Sequence, residues 1–183
     1  MKKKLLSVGL LALIVFTVIW EGIRLLPKSY NVTFEGVKYQ LGAENADYIE
    51  PAVLHINGTL QTSFTGSRTF QGTIDIEGEE IPVPENQREI KVEFGMTGGY
   101  GIMTYGYFED GEPHIFSYGS LFINEDISKI AIGLLGKNMS DAERRGWSSA
   151  DGYMLTAPAR DRTEGLEVAN ELMNEYLQGM ILE

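Results

Sequence analysis

The chain of 183 residues has 26 acidic and 15 basic side chains, a formal net charge of −11, and it contains no cysteine. Residues 29–183 hold 25 of the acids and 10 of the bases, so this part carries a charge of −15. Like charges repel, which excludes nucleic acid as a partner of the general surface and disfavours anionic lipid headgroups and wall polymers. The lack of cysteine excludes disulfide bonds and lipoprotein processing, so packing and hydrogen bonds must stabilise the fold.

The N-terminal segment has the pattern of a membrane anchor. Three lysines precede an uncharged run from Leu5 to Trp20, which as a helix covers roughly 24 Å of a hydrocarbon core of about 30 Å. Apolar residues continue beyond this run, so we expect a signal-anchor helix of about Leu5–Leu26. Because positive charge is concentrated before this helix, the N terminus is predicted to be cytoplasmic. The alternative is cleavage and secretion, which the bulky residues from Val18 to Tyr30 disfavour, since a signal peptidase site needs small residues.

This pattern divides the chain into two parts. Residues 1–28 are predicted to form a cytoplasmic stub and a single transmembrane helix, and residues 29–183 a single acidic domain outside the cytoplasm. The second part is long enough for one substantial core and too short for two. The predicted location is therefore the cell membrane of a bacterial cell envelope, with the folded domain facing out.

Three dipeptides predict tight turns between short strands of the acidic domain. Asn57-Gly58 and Asp110-Gly111 lie between apolar runs, and Glu35-Gly36 is a third candidate. Such dipeptides supply the positive φ angles that two-residue hairpins need. The sequence therefore predicts antiparallel hairpins at these three places.

Alternating apolar residues predict the strands themselves. Phe70, Ile74 and Ile76 share one face of a strand, whereas residues 115–123 are apolar or aromatic on both faces, as in a central strand that is covered on both sides. Further predicted strands are marked by Ile90, Val92, Phe94 and Met96, by Ile130, Ile132 and Leu134, and by Tyr153–Thr156.

The C-terminal region predicts an amphipathic helix of about Arg162–Met180. Asp161 and Glu164 have the spacing of a capping box, and apolar residues follow at helical intervals. A shorter helical turn is predicted to begin at Ser140, with Glu143 reaching back to it. The long helix has an acidic outer face, so we expect its apolar stripe to cover the sheet.

These elements together predict an α+β fold that is mainly β. We expect an antiparallel sheet of about seven to nine strands, either a sandwich or a partly closed barrel, packed with one C-terminal helix and preceded by the transmembrane helix. The local patterns do not distinguish the sandwich from the barrel, because both use short alternating strands.

No catalytic, cofactor or metal motif is found in the sequence. His55 and His114 have no ligand spacing around them, and the glycine-rich stretch 95–101 matches neither form of phosphate loop. Acidic pairs such as Glu79-Glu80 are expected by chance in so acidic a chain, although a divalent cation in an acidic turn is compatible with it. The sequence therefore predicts no cofactor, and it favours a protein without enzymatic activity.

Aromatic and basic residues provide the candidate interaction surface. Arg144, Arg145 and Trp147 lie together in an apparent loop, and Tyr105 and Tyr118 are further candidates near turns. Arginine and large aromatic side chains are favoured anchors of protein interfaces. For Trp147 the competing interpretation is that its ring packs over the end of the sheet.

The function predicted from these features is a membrane-anchored extracytoplasmic binding or interaction protein of the cell envelope, with an envelope or membrane protein as its expected partner. The first alternative is an envelope hydrolase that acts on glycan or peptide with carboxylate catalysis, because such sites need no local motif. The second is a carrier of a small apolar ligand, in which the sheet closes around a pocket lined by Tyr105, Phe116 and Tyr118.

Overall fold

A computed structural model describes residues 13, 15–17, 20, 22–23, 25–95, 99–136 and 146–183. From residue 28 onward, the described residues form eight antiparallel strands followed by one α-helix. The strands are β1 (Lys28–Gln40), β2 (Ile49–Thr62), β3 (Arg68–Ile76), β4 (Ile90–Phe94), β5 (Tyr100–Glu109), β6 (Glu112–Ile123), β7 (Ile130–Leu134) and β8 (Tyr153–Ala157), and the helix is α1 (Arg162–Leu177). This confirms the mainly β fold with a C-terminal helix.

The strands form one sheet that curls into a nearly closed barrel. Their order is β4-β3-β2-β1-β8-β7-β6-β5, so that consecutive strands pair within β1–β4 and within β5–β8, and β8 returns to pair with β1. β4 and β5, the two edges of this sheet, lie side by side without a hydrogen-bonded ladder. Of the two predicted architectures, the barrel is the one that the protein adopts.

Two features bring the edge strands together. A β-carbon on Gly101 would lie 2.3 Å from Val92 Cγ1 and 2.8 Å from Glu93 O, so β5 approaches β4 this closely because residue 101 has no side chain. Further along, the Gln87 side chain accepts a hydrogen bond from Phe108 N (2.8 Å) and donates one to Phe108 O (3.0 Å). The Gln87 amide thus makes the two backbone hydrogen bonds that a neighbouring strand would otherwise make with Phe108 at this open edge.

Apolar side chains fill the inside of the barrel, and a second cluster lies outside it under α1. The two clusters follow from the alternation of side chains along each strand. In β6, for example, Leu121 packs into the interior and Phe122 packs under the helix, and both are buried. The prediction that residues 115–123 are covered on both faces is therefore confirmed for the second half of this stretch, which lies between the barrel core and α1. It is wrong for the first half, because Ile115 is 80% exposed and Ser117 is also exposed. The face shared by Phe70, Ile74 and Ile76 is likewise confirmed as interior.

One of the three predicted hairpin turns is confirmed. Asp110 and Gly111 connect β5 to β6 with φ angles of 52° and 84°, as a two-residue hairpin requires. The turns at Glu35-Gly36 and Asn57-Gly58 are wrong, because β1 and β2 run through these positions without interruption.

Gly36 and Gly58 are needed for space inside the barrel. A β-carbon on Gly36 would lie 2.3 Å from Thr156 O, and one on Gly58 would lie 2.4 Å from Gln71 O. Glycine inside a strand often marks a close backbone approach of this kind. These two glycines therefore indicate close contact with a paired strand rather than a turn.

The helix α1 begins where its capping residues predict. Asp161 Oδ1 accepts a hydrogen bond from Glu164 N (2.9 Å), and Glu164 Oε2 accepts one from Arg160 N (2.9 Å). The helix ends at Leu177, before the predicted Met180, because Gln178 and Gly179 adopt positive φ angles of 53° and 87°. Three sequence features lie outside the described residues: the short helical turn predicted at Ser140, Met96 of the strand predicted from Ile90, and part of the glycine-rich stretch.

The N-terminal segment is described only in part. Residues 13, 15–17, 20 and 22–23 are helical, whereas most of Leu5–Leu26 lies outside the described residues. Within the positions that the structure covers, no helix has the length and hydropathy needed to cross a membrane. The transmembrane anchor therefore stays a prediction.

The two ends of the barrel differ. At the end where β1 begins, here called the proximal end, Arg68 donates hydrogen bonds to Asn124 O (2.8 Å) and Ile123 O (3.2 Å) and lies over the Phe94 ring. Its side chain therefore closes this end. The opposite end, where β1, β3 and β7 finish, is here called the mouth.

Candidate binding site at the barrel mouth

A cavity of about 1110 Å³ lies at the mouth and is partly open to solvent. It is bordered by the connection between β3 and β4, by the first half of β6 and by the end of β7. Its apolar lining comes from Ile81, Pro82, Ile115, Phe116, Leu134 and Leu135, and its polar lining from Glu79, Glu80, Ser117 and Tyr118, with Gly136 beside them. An apolar cavity of this size with a few polar groups is typical of sites for small organic ligands.

A lysine and a glutamate are paired beside this cavity, inside the mouth. Lys38 follows Phe34 and Gly36 on the interior face of β1, and its side chain is only 11% exposed. Its ammonium donates to Glu79 Oε1 (2.8 Å) and to Glu50 Oε2 (3.0 Å). Glu79 is equally buried, whereas Glu50 is half exposed and also accepts a hydrogen bond from the Tyr48 hydroxyl (2.9 Å).

The interior of the barrel excludes water from the Tyr118 side chain, which is 5% exposed. The Tyr118 hydroxyl is buried beside the Glu79 carboxylate. Burial raises the pKa of this phenol far above its usual range, and the negative charge of nearby Glu79 raises it further. The hydroxyl therefore stays neutral, and the Tyr118 side chain forms part of the cavity lining beside Glu79.

Buried tyrosines predict how the fold responds to alkali. Burial raises the pKa of Tyr105 from 10.0 to about 12, with a further rise from Asp75, and burial likewise raises the pKa of Tyr39 and of Tyr118. A pKa that is raised by folding contributes stability that is complete below the unfolded value and is lost as the pH passes the folded value. We expect cooperative unfolding to begin above about pH 10 and these three phenols to ionise with it.

Tyrosinate absorbance and far-ultraviolet circular dichroism, followed together during an alkaline titration, test this prediction. The same titration in guanidinium chloride is the control, since the unfolded chain should ionise all its tyrosines in one step near pH 10. Complete ionisation at that pH with unchanged circular dichroism would contradict the prediction.

The structure separates the residues of the predicted interaction surface. Tyr105 and Tyr118 lie inside the barrel, where both rings neighbour Phe116 at centroid distances of 6.3 and 6.4 Å. Phe116 and Tyr118 line the mouth cavity, whereas Tyr105 is fully buried beneath it. Arg144 and Arg145 lie outside the described residues, so the surface as a whole stays a prediction.

Trp147 packs on the outside of the sheet. Its indole occupies the space above Gly133 and Gly152, where β-carbons would lie 3.1 Å and 2.8 Å from ring atoms. The indole N–H donates to Tyr153 O (3.2 Å), and the ring is partly buried beside α1. These contacts favour the packing interpretation of Trp147.

Neither histidine belongs to the mouth site. His55 lies on the outer face of β2, where its ring nitrogens contact Thr33 Oγ1 (2.9 Å) and Glu77 Oε1 (2.8 Å). His114 stacks on Tyr107 in the β5–β6 hairpin. In the part of the chain that the structure describes, no three acidic or histidine side chains come together as metal ligands.

The sequence prediction missed Lys38, Glu50 and Glu79. One signal could have identified the lysine, because Tyr30, Val32, Phe34, Gly36 and Lys38 alternate along one face of β1. A charged residue at an interior position needs a buried partner. Glu79 lies 41 residues away in the chain, so its role depends on the tertiary structure.

Comparison with known proteins gives no family to which this site can be assigned: the chain matches no protein-family model, no curated protein and no solved structure.

Proposed function

We propose that this protein is a membrane-anchored extracytoplasmic binding protein of the bacterial cell envelope, and that the barrel mouth is its binding site. The observation that carries the proposal is the cavity of about 1110 Å³ at the mouth, where apolar side chains lie beside the Glu79 and Glu80 carboxylates. A cavity of this size with a few polar groups is typical of sites for small organic ligands.

The packed interior favours a ligand at the mouth over one deep in the barrel. Leu54, Ile56, Phe70 and Tyr105 fill the centre and are almost completely buried. A carrier that encloses its ligand needs a wide internal space instead. Of the predicted pocket residues Tyr105, Phe116 and Tyr118, only the last two are therefore proposed to line the ligand site. Tyr105 packs behind them in the barrel interior.

The lining indicates the chemistry of the ligand. Phe116, Leu134 and Leu135 offer apolar contact, while Glu79 and Glu80 bring negative charge to one side of the cavity. A ligand with an apolar body and a hydrogen-bond donor or amine at one end fits this combination, whereas an anionic ligand is repelled. The net charge of −15 on residues 29–183 likewise favours a cationic ligand over an anionic one.

The hydrolase alternative has less support in this geometry. Glu50 and Glu79 both bind the Lys38 ammonium. A carboxylate that is held by a cation keeps its charge, which is the opposite of what a general acid needs.

A thermal-shift experiment on the full chain in lipid nanodiscs tests the proposal. The probes are tryptamine and indole-3-propionate, which share an aromatic body and differ in the sign of their charge. We expect tryptamine to raise the melting temperature in a concentration-dependent way, because a ligand that binds only the folded state stabilises it. Indole-3-propionate is expected to leave the melting temperature unchanged.

Two exposed isoleucines of the β5–β6 hairpin provide matched variants. Ile115 lines the cavity and Ile102 lies outside its lining, so Ile115→Lys should abolish the shift and Ile102→Lys should retain it. A shift of equal size in both variants would place binding elsewhere on the protein, and equal shifts by the two probes would contradict the proposed ligand chemistry.

A further inference from the structure

The loop between β2 and β3 lies at the proximal end, beside the point where the N-terminal segment joins the barrel. β1 begins at Lys28, and Lys28 pairs with Leu60 near the end of β2. Thr62 in turn pairs with Arg68 at the start of β3. Residues 63–67 therefore extend from the same end of the barrel at which the chain enters it.

Phe64 stands out from this loop with 90% of its surface exposed. The loop holds its shape through its own hydrogen bonds, from Ser63 N to Ser67 O (2.8 Å) and from Gly66 N to Ser63 O (3.0 Å). The hydroxyls of Ser63, Thr65 and Ser67 also bond to one another. None of residues 63–67 is charged, so the loop presents an aromatic ring to its surroundings without a charge that would oppose transfer to a membrane interface.

The N-terminal segment is joined to the barrel with almost no linker. Its apolar residues Leu13, Phe16, Trp20, Ile23 and Leu26 are each between 59% and 62% exposed, and only Pro27 separates Leu26 from β1. If this segment enters a bilayer as proposed, the proximal end must lie at the headgroup region, because one residue spans at most about 3.6 Å.

We propose that the proximal end rests on the outer surface of the lipid bilayer and that Phe64 inserts into its interface as a second membrane contact. This inference rests on the proposed membrane anchoring. Aromatic rings are favoured at the level of the headgroups, and insertion removes an exposed phenyl ring from water. Two contacts, the anchor and Phe64, fix the tilt of the barrel, which a single helix joined at one point does not.

This orientation turns the binding site away from the membrane. Lys28 and Lys38 are ten residues apart on β1, which at about 3.3 Å per residue and a strand tilt of about 40° places the mouth roughly 25 Å above the proximal end. The ligand then reaches the mouth from the aqueous phase of the envelope rather than directly from the bilayer.

The absence of cysteine permits a direct test with the full chain. A Phe64→Cys variant is labelled with an environment-sensitive fluorophore and reconstituted into phosphatidylcholine vesicles that contain lipids with a nitroxide on the acyl chain. We expect a blue-shifted emission and strong quenching by these lipids. The matched control is Phe108→Cys, since Phe108 is 62% exposed and lies on the hairpin at the mouth, where the probe should stay in water.

Flotation of the same vesicles distinguishes failure of the proposed membrane anchor from failure of the proposed orientation. Vesicle-bound protein with quenching at residue 64 and none at residue 108 supports the proposed orientation. Vesicle-bound protein whose two probes are quenched equally, or not at all, overturns the orientation and leaves the anchor and the mouth site unaffected. Protein that does not float with the vesicles overturns both the anchor and the orientation. Circular dichroism of each variant confirms that it is folded.

Discussion

Replacement of Gly36 by alanine is expected to lower the free energy of unfolding by about 3 kcal/mol, the upper end of the usual cost of overpacking. The added methyl group would lie 2.3 Å from Thr156 O and 2.8 Å from Ala157 Cβ. Both atoms belong to β8, and they can move away only if the pairing of β1 with β8 is disturbed. This pairing joins the two halves of the sheet, β1–β4 and β5–β8, so the strain falls on the contact between them.

Gly106→Ala is the matched control for this substitution. Gly106 also lies within a strand, but a β-carbon there meets nothing within 4 Å. We expect this variant to be unchanged or more stable by about 0.5 kcal/mol, because alanine loses less backbone entropy than glycine on folding. Urea unfolding of both variants measures the difference, and equal stabilities would show that β1 and β8 are not this close.

Replacement of Lys38 by methionine is expected to lower the free energy of unfolding by about 3 kcal/mol at neutral pH, because loss of one partner leaves a buried charge without its counter-ion. Glu79 is 10% exposed, and the Lys38 ammonium is 2.8 Å from its Oε1 atom. Glu50 is half exposed, so water compensates for more of its lost attraction. The effect is therefore expected to come mainly from Glu79.

A double-mutant cycle measured by chemical unfolding tests this interpretation. Lys38→Met and Glu79→Gln together should cost clearly less than the sum of the two single changes, since the second change removes the charge that the first left behind. Lys91→Met is the control, because Lys91 pairs with Glu93 on the surface and both are mostly exposed. Additive effects at residues 38 and 79, or a loss at residue 91 as large as that at residue 38, would contradict the prediction.

The ion pair of Lys38 and Glu79 is expected to affect both the stability of the fold and ligand binding at the mouth. Glu79 lines the mouth cavity and influences the Tyr118 phenol. A destabilised pair is therefore expected to alter ligand binding as well as folding. Buried charged pairs of this kind are retained in some proteins because they hold one arrangement of neighbouring groups.

Local sequence patterns predicted the structure correctly where it depends on interactions between residues that are close in the chain. The capping residue Asp161 and the helical spacing after it predicted the start of α1, and alternation predicted most of the strands. The hairpin at Asp110-Gly111 was predicted correctly for the same reason, because its positive φ angles depend only on the two residues themselves.

The same local signal failed at Gly36 and Gly58. In both cases the glycine is required by the backbone of a neighbouring strand, β8 for Gly36 and β3 for Gly58, so a turn and a close strand contact give the same sequence pattern. Lys38 is a similar case, since its partner Glu79 is 41 residues distant. A local sequence pattern therefore identifies such a residue but does not predict which residue it contacts.

The amino-acid sequence by itself determined the mainly β composition of the fold, the C-terminal helix and the acidity of the domain, because these depend on composition and on short-range periodicity. The tertiary structure alone decided that the sheet curls into a nearly closed barrel, that glycines permit its closest strand contacts and that Lys38, Glu79 and Tyr118 meet at one mouth. These features depend on contacts between different strands, and the local sequence pattern does not specify which strands meet or how closely.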